Sequence, residues 1–204
     1  MKEILSNIVA EPKLHAKWLN TLSMMENAGA RKISASEHPL KVDLIILKHA
    51  AEEARHAYYL KNKIKSIPFD GCPNYTYEHI LAPINSYQYL HQLDSKVSRK
   101  LKEDFELSGH ELRFAAYLFV TYAIEVRADE LYPQYQDVLT ECKSNISVRS
   151  IIVEEEGHLE EMIVQLKKFS PNWEVYAEKV IAIEKDLYHQ WWSAISQEVL
   201  MLTN

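Results

Sequence analysis

Apolar residues recur along this chain at helical spacing. Residues 1 to 11 form a short amphipathic piece of one or two turns. Pro12 then suits a first helical position, and Leu14, Trp18, Leu22, Met25 and Ile33 share a face behind it. A break at Ser34 to His38 separates this helix from the next, which Pro39 is expected to start. On that second helix Val42, Ile45, Ile46, His49, Glu53, His56 and Leu60 follow one face, to about residue 66. Pro68, Gly71, Pro73 and Asn74 mark a loop over 67–82.

A helix from Pro83 to about Glu106 follows, with Tyr87, Leu90, Leu93, Val97 and Leu101 on its apolar face and Lys96, Arg99, Lys100 and Lys102 on a solvated one. Ser108 and Glu111 have capping-box spacing and open a strongly apolar helix from Leu112 to Ile124. Pro133 should kink or end it, with a short continuation to about Cys142. Ser144 or Asn145 is expected to cap the next helix, whose face carries Val148, Ile151, Ile152, Glu155, His158, Leu159, Met162 and Leu166. Ser170 and Pro171 then open a last helix to about Leu202, suited to packing on the others or to a dimer contact.

The expected fold class is therefore all-α, in one domain spanning 1–204. Its core bundle covers about 12–169, and a C-terminal helix covers about 171–202. With 4 Gly and 7 Pro in 204 residues, long helices fit better than many short strands.

Composition narrows the function classes. A net charge of −6 argues against a large nucleic-acid footprint, which needs clustered cations. Cys72 and Cys142 form no CxxC pair, which excludes a four-cysteine zinc or iron site within this chain. Two free thiols, no secretory signal and no apolar run near 20 residues lead us to expect a cytoplasmic protein with no membrane span.

The polar residues inside the apolar stripes carry the candidate chemistry. Glu53 and His56 sit one turn apart on one helical face, as do Glu155 and His158. At 22 Glu and 9 His, chance supplies about one Glu-x-x-His, so context must carry the argument. Both pairs lie within the apolar stripe, where a solvated pair would lie opposite it. Two lone carboxylates accompany them. Glu26 lies on or beside the face of the first long helix, where it could also be a boundary carboxylate reaching solvent. Glu125 sits deep in the most apolar helix, where a carboxylate is costly unless it is paired or bound to metal. A salt bridge with Arg127 or a neighbouring helix is the alternative for Glu125. The order Glu, Glu-x-x-His, Glu, Glu-x-x-His repeats at intervals of 27 residues (26 to 53) and 30 residues (125 to 155).

That ordered set resembles the ferritin-like di-iron carboxylate family, in which two helices give one Glu each and two give Glu-x-x-His. The similarity covers about residues 12 to 169. It implies a ferritin-like four-helix bundle with one long crossover that contains an extra helix. It also implies metal ligation by Glu26, Glu53, His56, Glu125, Glu155 and His158. The implied cofactor is two Fe ions, with Mn or a mixed Fe/Mn pair in related sites.

A ligating imidazole needs its second nitrogen held. Asp129, on the face of Glu125, is one candidate; Glu52 and Glu154 are others, although solvated surface is the plainer reading of both. His49, one turn before Glu53, either lines the pocket or adds a ligand, and Tyr122 either packs or donates toward the site. Asp186 and His189 read as surface chemistry.

Within the family, the chain is similar to small di-iron oxygenases, including tRNA-modifying hydroxylases, through Ala51-Glu52-Glu53-Ala54-Arg55-His56 and Ile124-Glu125-Val126-Arg127. The implied activity is O₂-dependent oxidation or hydroxylation of a small organic substrate. It would need O₂ or peroxide and an external electron donor, and a homodimer is expected. A peroxide-reducing or iron-handling protein, and a non-catalytic metal-binding or interaction module, are the other classes.

Overall fold

The computed structural model describes residues 1–203. Among them are seven α-helices and no strand: α1 (Lys2–Ala10), α2 (Pro12–Ser36), α3 (Leu44–Lys63), α4 (Pro83–Phe105), α5 (Gly109–Glu141), α6 (Arg149–Phe169) and α7 (Trp173–Thr203). None is long and apolar enough to cross a membrane. Both cysteines are free, Cys72 buried and Cys142 exposed.

The helices pair as the connection lengths suggest. α2 runs antiparallel to α3, with Ser23 Oγ donating to the Ala57 carbonyl at 2.6 Å and Lys61 reaching Asn20. α5 and α6 are likewise antiparallel neighbours, and the two pairs meet face to face. α4 lies along α5 and α7, joined to α7 by Trp191 Nε1 donating to Ser86 Oγ at 2.8 Å. Buried apolar side chains from all seven helices form one contiguous core.

Several local expectations are corrected. Pro39 does not start α3. His38 Nδ1 accepts from the Leu40 and Lys41 N–H groups at 3.1 Å each, folding that stretch into a turn. Asp43 then caps α3, its carboxylate accepting from Ile45 N–H at 2.9 Å. Val42, expected on the apolar face, is 76% exposed.

Ser108 does occupy the N-cap of α5, but its side chain makes no capping bond. The backbone turns instead through Gly109 at φ +56°, a conformation that favours glycine.

Pro133 lies inside α5 without ending it, and the helix continues to Glu141, close to the expected end at Cys142. The bond Pro133 forgoes would have gone to Asp129, an exposed residue whose carbonyl can turn to water. Buried Tyr132, Tyr135, Val138 and Leu139 on either side anchor the continuation.

Neither Ser144 nor Asn145 caps α6, which starts at Arg149. Gln136 of α5 holds the preceding strap, its Oε1 accepting from Ser147 Oγ at 3.0 Å and Val148 N–H at 2.8 Å. The last helix starts two residues later than expected, because Ser170 Oγ accepts from Asn172 N–H at 3.3 Å and forms a turn.

One buried imidazole sets a pH limit on this core. His15 Nε2 lies 2.7 Å from the Tyr135 hydroxyl, and burial lowers the His15 pKa from its ordinary 6.5 to about 4. The unfolded chain therefore binds more protons between pH 4 and 6.5, so His15 destabilises the fold progressively as pH falls through that window. The expected loss is about 3 kcal/mol at pH 4 relative to pH 7. Denaturant unfolding of wild type and His15→Gln across pH 4 to 7 should show a shallower decline for the variant. Parallel curves would refute this role.

Candidate metal centre

The Glu-x-x-His pairs of α3 and α6 face each other across the middle of the structure, flanked by Glu26 of α2 and Glu125 of α5. Because α2 and α5 are each antiparallel to the helix that follows, each lone Glu comes level with a Glu-x-x-His. One ligand atom each from Glu26, Glu53, His56 and Glu155 lies within 4.8 Å of the others. Atoms of Glu53, Glu125, Glu155 and His158 form a second such group. Glu53 and Glu155 belong to both groups. Donors bound to one ion at 2.0–2.2 Å lie at most about 4.4 Å apart across it. Each group is thus close to the spacing a divalent ion requires. All six residues are buried except Glu26, which is partly so.

The second nitrogens of the imidazoles are held by carboxylates from across the bundle. His158 Nε2 lies 2.8 Å from Glu52 Oε2, and His56 Nε2 lies 2.9 Å from Glu154 Oε2. The arrangement is reciprocal: the Glu that precedes one Glu-x-x-His holds the His of the other. Each repeat therefore reads Glu-Glu-x-x-His. Glu52 and Glu154, which their sequence positions suggest are solvated, are the residues that orient the two rings. Arg55 pairs with Glu154, and Lys48 with Glu161, fixing the outer ends of this layer.

With Nε2–H given to a carboxylate, Nδ1 of each ring points inward, its lone pair free for a cation once the ring is neutral; against burial, the surrounding carboxylates raise both imidazoles and favour a proton there in the metal-free chain. Both Nδ1 atoms are buried without a hydrogen-bond partner, as is Glu125 Oε2. Glu155 Oε1 lies 3.0 Å from His56 Nδ1, and Glu125 Oε1 lies 3.6 Å from His158 Nδ1. Acceptor facing acceptor in a dry interior is repulsive unless protons or a cation intervene. Protons serve in the metal-free chain. Burial first, then the surrounding carboxylates, push Glu53 and Glu125 well above the usual carboxylate range. Burial alone would raise Glu155 too, but protonated Glu125 and the two imidazoles beside it hold it below that range. Four carboxylates and two neutral imidazoles would balance two divalent ions, so the donor set fits such a pair.

The remaining sequence candidates fall elsewhere. His49 is fully buried with both ring nitrogens engaged, Nε2 to Glu161 Oε2 at 2.8 Å and Nδ1 to the Tyr117 hydroxyl at 2.9 Å. Its ring centroid lies 4.5 Å from that of His158, so it lines the site and offers no free ligand atom. Asp129 is exposed and holds neither imidazole; α5 turns it away from the cluster. Tyr122 packs edge-on against Trp173 at 5.7 Å, away from the ligand groups. Glu125 does not pair with Arg127, whose guanidinium binds Glu184 of α7 at 2.9 and 2.8 Å. Asp186 and His189 are both exposed.

Sequence reasoning missed Tyr132, whose hydroxyl donates to Glu26 Oε1. It also missed Glu184, which is 1% exposed. Glu184 lies four residues after Val180 and three before Leu187, inside the apolar stripe of α7, and that position was a usable signal. Nothing local marks Tyr132.

A cavity of about 110 Å³ reaches the carboxylates. Glu26, Glu53 and Glu125 line it, and Leu22, Ile33, Val120, Leu131 and Trp191 are among its apolar walls. Gly29 and Ala128 also line it, which gives these small residues a use. No protein-family model, curated protein or solved structure matches this chain.

Proposed function

We propose that the chain is a ferritin-like dimetal carboxylate protein that activates O₂ to oxidise or hydroxylate a small organic substrate. On this reading α2, α3, α5 and α6 are the four-helix bundle, the segment containing α4 is its long crossover, and α7 is an added C-terminal helix. Glu26, His56, Glu53 and Glu155 would hold one ion. Glu125, His158 and the same two bridging carboxylates would hold the other. Two iron ions, or iron with manganese, would supply the redox chemistry and a Lewis-acid centre for O₂.

The observation that carries the oxidase reading is the apolar cavity with Glu26, Glu53 and Glu125 in its wall. Iron storage or peroxide removal needs a route for ions or peroxide, and has no use for a hydrocarbon-lined chamber against the metals. The protein's own contribution is positional. Glu52 and Glu154 fix the imidazoles, and Tyr132 orients Glu26 by its hydroxyl hydrogen bond. Leu22, Ile33 and Val120 keep water from the substrate's reacting carbon. Tyr117, His49 and Glu161 form a hydrogen-bonded string that keeps His49 fixed beside His158.

The test is anaerobic reconstitution with Fe(II) followed by exposure to O₂ or to peroxide. An oxidase binds close to one ion per ligand group and consumes O₂ rapidly. Rapid turnover of peroxide with inertness to O₂ would replace this reading with a peroxidase. Uptake of iron far beyond the ligand groups would replace it with iron handling, and failure to bind any transition metal would replace it with a non-catalytic module.

A further inference from the structure

The inner cavity abuts a second recess of about 330 Å³ between α2, α4 and α5, and the two share Lys32, Ile33, Val120 and Thr121 as walls. Their linings differ. The inner chamber is mostly apolar; besides the carboxylate wall its polar lining is Lys32, Thr121, Tyr89, Tyr132 and Arg127, whose charge is already taken up by Glu184 and Glu130. The outer recess carries Lys32, Arg113, Asp94, Ser36, Ser98 and Thr121. Lys32 Nζ lies 2.8 Å from Asp94 Oδ2, with both side chains about one-third exposed. Among the described residues no carboxylate pairs with Arg113. The outer recess thus holds two cations against one anion, and its Lys32 forms a collar where this polar vestibule meets the more apolar chamber. In a chain of net charge −6, a cationic collar over a carboxylate-walled chamber is contrary to the overall field.

We propose that the substrate is a small amphipathic carboxylic acid, whose carboxylate is held by Lys32 and Arg113 in the outer recess while its hydrocarbon part extends past Ile33 and Val120 toward Glu26, Glu53 and Glu125. This rests on the oxidase reading and names its substrate class. The excess of one positive charge matches a singly charged head group. The Lys32–Asp94 pair is a partly exposed ion pair, weak enough for an incoming carboxylate to displace Asp94. The acid end stays in the hydrated vestibule, where its desolvation cost is small, and only methylene or ring carbon enters the chamber. Oxidation would then fall on carbon remote from the carboxylate, because the acid end is anchored on the side away from the metal ligands.

The experiment is isothermal titration of the metal-free and Mn(II)-loaded chain with straight-chain acids from butanoate to decanoate, with octan-1-ol, octylamine and octyl phosphate as comparisons. At least one acid should bind, about tenfold or more tighter than octan-1-ol. Lys32→Gln should weaken that acid about tenfold, and Arg113→Gln should weaken it to a smaller extent, with octan-1-ol unaffected by either. Asp94→Asn should act in the opposite direction and tighten the acid about threefold, by freeing Lys32. A purely structural role for the ion pair would move Lys32→Gln and Asp94→Asn the same way. The proposal is overturned if no acid binds, if the alcohol or amine binds as tightly, if the two variants shift affinity together, or if octyl phosphate binds better than every acid. The readout needs no turnover, so the two readings separate. Acid binding by a chain that takes up no iron leaves the acid-binding site standing and removes the oxidase. O₂ consumption by a chain that binds no acid does the reverse.

Discussion

Alanine at Glu53 or Glu155 should strip the chain of both metal ions, whereas alanine at Glu26 or Glu125 should cost only one. The difference follows from membership: Glu53 and Glu155 belong to both ligand groups, and Glu26 and Glu125 to one each. Elemental analysis per chain after Fe(II) or Mn(II) reconstitution reads it directly. Stability should follow loading. A ligand that binds only the folded state stabilises it by about 4 kcal/mol at a thousandfold excess over its dissociation constant. Metal addition should therefore raise the unfolding temperature of wild type and leave that of Glu53→Ala nearly unchanged.

The sign reverses in the metal-free chain. There Glu125 is a buried carboxyl kept neutral by protons, with one oxygen unpartnered. Glu125→Ala should unfold no earlier than metal-free wild type. Loading must also displace the protons held by Glu53, Glu125 and the imidazoles, so affinity should fall as pH is lowered. The outer carboxylates give a graded effect. Glu52→Ala or Glu154→Ala leaves every ligand in place but frees a ring, and should cost about 10- to 100-fold in metal affinity. Equal loading by all of these variants would refute the assigned centre.

The second large effect lies outside the metal groups. Glu184→Ala should destabilise the chain by about 3–5 kcal/mol, the usual result of removing one member of a buried ion pair. Glu184 accepts two hydrogen bonds from Arg127 and a third from the Tyr89 hydroxyl. It thereby ties α4, α5 and α7 together at one point. The Arg127 guanidinium also lies 3.8 Å over the Tyr188 ring, so it cannot swing to water without losing that contact. Its removal from Glu184 leaves a cation that is 13% exposed and otherwise paired only with exposed Glu130. In a chain of this length the loss corresponds to a fall of roughly 10 °C in unfolding temperature. Replacing both partners by leucine should restore most of it, because no charge is then left buried. Metal loading should survive in the folded fraction of every one of these variants. A loss below about 1 kcal/mol for Glu184→Ala would show that the pair is not a structural tie.

The Lys32 and Arg113 recess was not visible before folding. Lys32 belongs to α2, Asp94 to α4 and Arg113 to α5, and nothing in their sequence neighbourhoods distinguishes them from ordinary solvated charges. The same is true of Tyr132, which reaches Glu26 across 106 positions. Helix ends divide similarly. The start of α2 at Pro12 is local chemistry and follows from the sequence. The start of α6 at Arg149 depends on Gln136, a side chain of another helix, and so Ser144 and Asn145 lose their capping role.

By itself the sequence determined that the chain is helical and which six residues sit on apolar faces. Apolar spacing and the three-residue Glu–His interval are properties of a helix alone. The tertiary structure decided what those faces meet. Antiparallel pairing brings Glu53 and Glu155 into both ligand groups. It also turns Glu52 and Glu154 from apparent surface charges into the partners of His158 and His56, and leaves a chamber beside the carboxylates. These are contacts between residues about a hundred positions apart, and only the packing of one helix on another creates them.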